Sequence, residues 1–249
     1  MRQFVIAIIL LISISSFSQS DTTIQQKHKK KFSIAAESGM TISYPDRVVS
    51  NGTIQGLRTI DPYIGILASF KFDNVAFETG LMFHANTSGA SINDPIDKSS
   101  FSTSSDASAY FRIPFRISYE FQSGFKGFSV EPFAGVSKLI TRHSGVYNGF
   151  SGSSIGVDNG DTTNSTTEAF CIHPLKSVWT TNVGVKIKYT YKKLSFCLIG
   201  EFFSSNSDWN IVDVIYNRNS SINGVLTDNG RVYSKAKSLC FGAYVSFSL

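Results

Sequence analysis

The residues that could do chemistry are few and scattered. Four histidines, His28, His84, His143 and His173, fall at spacings that build no metal site. Cys171-Ile172-His173 supplies two ligands where a structural zinc needs four. His143 and Ser144, taken with Asp158 or Asp161, have the residue types of a loop-borne hydrolase, with the imidazole as base to a hydroxyl. The abundance of Ser, Asn, Gly and Asp in that stretch accounts for the same residues without a catalytic role. No glycine loop of the phosphate-cradling kind is present. A serine nucleophile elbow needs a sharp strand-to-helix turn, and none is expected. The chain is therefore expected to be no enzyme, with no catalytic residue, cofactor or metal.

A second set of candidates is ionic. Glu37, Glu78, Glu120, Glu131 and Glu201 each fall on the polar side of an alternating segment, as do Lys71, Arg112, Arg116, Lys186 and Lys188. Five acids and five bases on one side suit mutual neutralisation inside a narrow space, because a lone buried charge is costly. Lys138 and Arg142 are different: they stand at the end of an apolar face, as candidate contacts to lipopolysaccharide phosphates. Plain placement at a membrane interface accounts for them equally well.

The elements that must position these groups are strands. Alternation with a period of two recurs near 32–43, 60–72, 75–85, 111–121, 128–138, 178–191, 194–204 and 238–249, and no helical period competes after the N-terminus. Segment four is the plainest: Phe111, Ile113, Phe115, Ile117, Tyr119 and Phe121 alternate with Arg112, Pro114, Arg116, Ser118 and Glu120. Such lengths are about the 9–11 residues a tilted strand needs to cross a bilayer. Connections alternate too: Asp73-Asn74, Gln122–Gly127 and Lys192-Lys193 are short, and the others are long and polar. Short turns at one end and long loops at the other are the pattern of an outer-membrane barrel. One end of each apolar face carries an aromatic residue: Phe32, Phe72, Phe77, Phe121, Phe128, Tyr191, Phe196 and Phe247, as in an interfacial girdle. A soluble barrel or a sandwich would put water on the charged face and leave the other face to a core. The expected fold is thus all-β: an eight-stranded antiparallel up-and-down transmembrane β-barrel, its lumen plugged by the ten charges.

Composition agrees. Only 16% of residues are charged, against a usual ~25%, while aromatics reach 13% and mean hydropathy is +0.01. Met1-Arg2-Gln3, the apolar run from Phe4 to Ile14 and Ser15-Ser16-Phe17-Ser18 read as a secretory signal peptide, too short to span a bilayer as a helix. The expected division is a signal peptide over 1–18, a polar periplasmic arm over 19–31 and a barrel over 32–249. The net charge of +5 does not point to nucleic acid in a secreted chain; the arm lysines at 27, 29, 30 and 31 fit anionic headgroups or a solvated linker. Three cysteines allow at most one internal disulfide, and strand register sets Cys197 and Cys240 too far apart to form it.

Tyr110-Phe111-Arg112-Ile113-Pro114-Phe115-Arg116-Ile117, followed by Glu131-Pro132-Phe133-Ala134-Gly135-Val136, resembles the outer-membrane β-barrel family that includes PorT-type proteins. The resemblance spans roughly 32–249. It implies a bacterial outer-membrane location, and for the PorT type a part in protein secretion; the even strand count separately sets both termini in the periplasm.

Two functional expectations follow. The first is a non-enzymatic barrel that presents long external loops for surface binding or envelope integrity. The alternative is an accessory of secretion or transport across the outer membrane. Expected partners are outer-membrane lipid and lipopolysaccharide, with an envelope protein as a further candidate, no nucleic acid, and a monomeric state. Because proline cannot donate to a ladder, a β-bulge is expected at Pro114 and at Pro132.

Overall fold

Where apolar and polar residues alternate, the backbone has formed strands. The computed structural model describes residues 30–94, 100–141, 145–158 and 161–249, and fifteen strands account for most of them. Eight build a barrel: β1 (Lys30–Ser43), β4 (Thr59–Phe72), β5 (Val75–Asn93), β6 (Ser100–Tyr119), β8 (Phe128–Thr141), β11 (Ser177–Tyr191), β12 (Leu194–Ser204) and β15 (Ser238–Ser248). Each pairs antiparallel with the next, β8 pairs β11 across the third loop, and β1 pairs β15 to close the ring. A two-residue strand, β7 (Phe121–Gln122), carries the line of β6 along β8 after a break at Glu120.

The wall is apolar outside and polar inside. On β4, Ile60, Ile64 and Ile66 are 59%, 61% and 67% exposed, whereas Asp61, Tyr63 and Leu67 between and beyond them are buried. All eight residues of the expected girdle are exposed near the end where the short turns lie. Two of those turns are two-residue links, and Asp73 and Lys192 adopt the positive φ that tight hairpin turns demand (52° and 55°).

The strand prolines are accommodated without bulges, which corrects that expectation. Pro132 stays in register opposite Val185, and Pro114 opposite Ser137. On its other side each faces a stretch where the ladder is skipped: β5 and β6 drop their pairing between Thr79↔Phe115 and Met82↔Arg112, and β6 leaves β8 after Ser118↔Phe133. Register is the same on both sides of each gap. The missing N–H is met by omitting bonds, so no residue has to be inserted. The register shift of this hairpin lies between Asn86 and Ser88, where β5 leaves the barrel. A bulge at a barrel rim bends the strand away.

The long connections form a second layered body. β5 and β6 continue beyond the rim as a hairpin, and β3 (Ile54–Gly56) adds to β5. Facing them is a five-stranded sheet in the order β2 (Arg47–Val49), β14 (Gly224–Ser234), β13 (Asn210–Ser220), β10 (Asp161–His173), β9 (Gly145–Asp158). Ile54, Ala90 and Ile92 on one side pack against Ala169, Val212, Val214 and Val232 on the other. The segment 210–216 lies in this separate sheet and does not continue β12. Main-chain bonds such as Trp209 N to Ser234 O (2.7 Å) and Ser205 N to Lys235 O (3.1 Å) hold together the two links that join β12 and β15 to this lid. Cys197 lies opposite Tyr244 and Cys240 opposite Glu201, four residues higher, a rise of roughly 14 Å at 3.4 Å per residue. No disulfide spans that distance, and none of the three cysteines is disulfide-bonded.

Candidate functional site

All ten sequence-selected charges point into the barrel and join in one continuous chain of ion pairs. From the turn end upward, Lys71 pairs with Glu120, and Glu120 with Lys188 (3.0 Å). Lys188 also reaches Glu131 (3.2 Å), which lies 3.7 Å from Lys186. Lys186 bonds Glu78 (2.8 Å), and Glu78 bonds Arg116 (2.8 Å). Arg116 then contacts Glu37 (2.9 Å) and Glu201 (2.6 Å), and Arg112 completes the chain with a two-point grip on Glu201. Alternation put each group on the inner face; the closing of the ring brought partners from separate strands together.

Neutral groups add further hydrogen bonds, although Arg116 Nε is left without one. Ser137 Oγ accepts from Arg112 Nε (3.0 Å), and Asn182 and Tyr244 donate to Glu201 and Glu78 (2.9 and 3.0 Å). Aromatic faces lie beside the cations: Phe203 against Arg112 at 4.5 Å, Phe133 against Arg116 at 5.0 Å and Tyr244 against Lys186 at 4.8 Å. Arg112 and Arg116 are 0% and 1% exposed. Desolvation at that depth is tolerable only while every partner is in place.

Space for these side chains comes from glycines on the lumen face. A Cβ on Gly184 would sit 2.4 Å from the Phe133 ring, and one on Gly242 would sit 2.2 Å from the Tyr63 hydroxyl. Eight strands enclose an interior that side chains just fill, and at the level of Arg112 and Arg116 they do fill it.

Above the ion pairs lies an aromatic layer whose inward tyrosines alternation places but whose stacking it does not. His84 is stacked between Tyr63 and Tyr110, with ring centroids 4.9 Å away on each side, and Phe203 meets its edge. Thr41 Oγ1 lies 3.2 Å from His84 Nδ1. Trp209, from the lid, stands edge-on to Tyr110 at 6.0 Å and so couples lid to plug. The available signal was positional: Tyr63, His84 and Tyr110 all fall on inner-face parity near the loop end of their strands.

The remaining candidates take structural places. Cys171 Sγ donates to Asn210 Oδ1 (2.9 Å), and His173 Nδ1 donates to Trp209 O (3.2 Å), at the base of the lid. Burial holds the His173 imidazole below its ordinary pKa, partly offset by that carbonyl. Asp161 accepts from Ser220, Ser221, Asn223 and the Ile222 amide, tying the turn of the β9–β10 hairpin to that of β13–β14. The hydroxyl bonds, first from Ser220, keep its carboxyl below the usual range. His143, Ser144 and Arg142 lie outside the described residues. Gly152-Ser153-Ser154-Ile155-Gly156 has the spelling of a nucleophile elbow, which the sequence reading passed over. It runs mid-strand in β9, with Ser154 paired to Ser165, and lacks the strand-to-helix turn that would make it one. Among the described residues no cluster of three His, Cys, Asp or Glu side chains is placed to hold a metal. Lys138 is on the outer face, with its ammonium 5.9 Å from the Trp179 ring on the neighbouring strand.

No family model matches the chain, and neither does any curated protein. PorT kinship thus remains a resemblance of two strand motifs. Solved structures that share the general shape include the outer membrane protein OprG of Pseudomonas aeruginosa, at 12% identity over 88% of this chain and 97% of that one, with a TM-score of 0.46. A major outer membrane protein of Thermus thermophilus matches at 12% identity over 89% and 100%, with a TM-score of 0.42. The Outer Membrane Protein W of E. coli matches at 13% identity over 90% and 100%, with a TM-score of 0.32. At such scores the architecture stands on the strand pairing described above: a closed eight-stranded antiparallel β-barrel with a plugged lumen and a two-layered lid.

Proposed function

We propose that this protein is a non-enzymatic bacterial outer-membrane barrel, sealed to solutes, whose work is done by the lid it holds outside the cell. The observation that carries the proposal is the pairing of opposites across one wall: an apolar outer belt and an inner face of ten paired charges. An exposed apolar surface encircling the molecule needs lipid, because soluble chains leave only a few hundred Å² in one patch. A lumen packed with buried ion pairs needs to stay shut. Short turns and the ends of β1 and β15 then face the periplasm, and the lid faces outward. Lys138 beside Trp179 lies near the outer rim, where an ammonium over an indole suits lipopolysaccharide phosphate. The lid serves surface binding or envelope integrity, and the barrel acts as a monomer.

Cell fractionation combined with protease treatment of intact cells tests this directly. The expected result is a chain in the outer-membrane fraction, cleaved in the lid and protected in the barrel. Recovery in the soluble fraction, or cleavage at the short turns alone, would contradict it.

A further inference from the structure

The ion-pair chain does not reach the turn end of the barrel. Beneath it the lumen opens as a blind cavity of about 360 Å³. Its closed upper end is made by Lys71, Glu120, Glu131 and Lys188, whose charges are taken up in the pairs already described. The wall is hydroxylic, with Ser33, Ser69, Ser246 and Ser248 lining it. At the rim stand Lys31 and Lys126, both exposed, and neither has a carboxylate partner among the described residues. The lining therefore holds four lysines against two glutamates, a surplus of two positive charges.

We propose that this cup binds a phosphate-bearing, hydroxyl-bearing group of the glycerophosphate class. A volume of about 360 Å³ falls within the range of small-ligand pockets and exceeds what a bare inorganic ion fills. The two unpaired lysines answer the phosphate charge as point cations, and the serines pair with polyol hydroxyls. The ion-pair chain closes the cup from above, so the ligand enters only from the turn end.

Two sources share this chemistry. One is a soluble glycerophosphate. The other is the headgroup of an anionic phospholipid leaning over the rim, since Lys31 adjoins the girdle residue Phe32. The lipid source rests on the membrane orientation proposed above; the soluble source does not.

The test uses the full chain. In neutral detergent, titration calorimetry with glycerol 3-phosphate measures the soluble arm. In the lipid arm, protein reconstituted in phosphatidylglycerol or phosphatidylcholine vesicles is re-extracted and retained lipid is counted by native mass spectrometry. Lys31→Glu with Lys126→Glu reverses the rim charges. Lys192→Glu with Lys193→Glu makes the same charge change on the turn outside the cup. Expected is saturable binding in at least one arm, weakened about tenfold or more by the rim pair and kept within about twofold by the outer pair. Each rim substitution alone, well away from the buried ion pairs, is expected to give part of the loss. Equal losses from both pairs would reduce the effect to general surface charge and overturn the proposal. So would no binding in either arm. Binding of glycerol 3-phosphate alone places the source in solution and leaves the membrane orientation to its own test.

Discussion

Arg116 and Glu201 meet at 2.6 Å although two wall strands, β8 and β11, separate β6 from β12 on the shorter way round the barrel. Their bond crosses the lumen. It makes the interior a single charged body that closes only when the ring closes.

Arg116 is therefore the position at which the plug is most easily broken. Arg116→Met leaves Glu37, Glu78 and Glu201 without their shared cation. The expected loss is roughly 3–5 kcal/mol, read from urea unfolding followed by gel mobility of the folded barrel. Adding Glu201→Gln removes part of the uncompensated charge and is expected to recover some of that loss. A double variant no better than the single one would show that Arg116 acts through its volume.

Gly184 tests the packing of the same plug. Its inner face is filled by the Phe133 ring, and a Cβ there also comes within 2.4 Å of the Gly200 carbonyl on the next strand. Gly184→Val is expected to cost about 1–3 kcal/mol in the same assay, through overpacking alone. A neutral result would mean that the lumen is looser than the ring contacts imply.

The lid is expected to loosen in acid through His173. Its folded pKa is depressed by burial, so below the ordinary value of about 6.5 the unfolded lid takes up a proton that the folded one resists. Stability is present above that pH and falls as pH drops from it towards the lower folded value. Hydrogen exchange of β10 and β13 amides, compared at neutral and mildly acidic pH, is expected to accelerate there more than in the barrel strands. His173→Gln should flatten the difference. An unchanged pH response in that variant would place the sensitivity elsewhere.

Much of the barrel was legible because membrane strands obey one rule for side-chain parity. Phe111 to Phe121 declares its outer face, and Arg112, Arg116 and Glu120 fall inward as a consequence. The ion-pair partners were not legible, since Arg116 to Glu201 depends on the register of four strands at once. The lid was missed as a fold of its own. Its strands are short on apolar residues, and β10 reads Asp-Thr-Thr-Asn-Ser-Thr-Thr-Glu before Ala169. Such a stretch has no inner face until β13 supplies Val212, Val214 and Tyr216. The bulges expected at Pro114 and Pro132 failed for a local reason: skipping ladder bonds on one side costs less disruption than inserting a residue into a closed ring.

The central claim is that the lumen is shut. Single-channel recording of the purified barrel in a planar bilayer tests it most directly. The wild-type protein is expected to insert without a stable conductance step, whereas Arg112→Ala with Arg116→Ala, if it inserts, is expected to show one. A long-lived, ohmic conductance from the wild type would contradict the account.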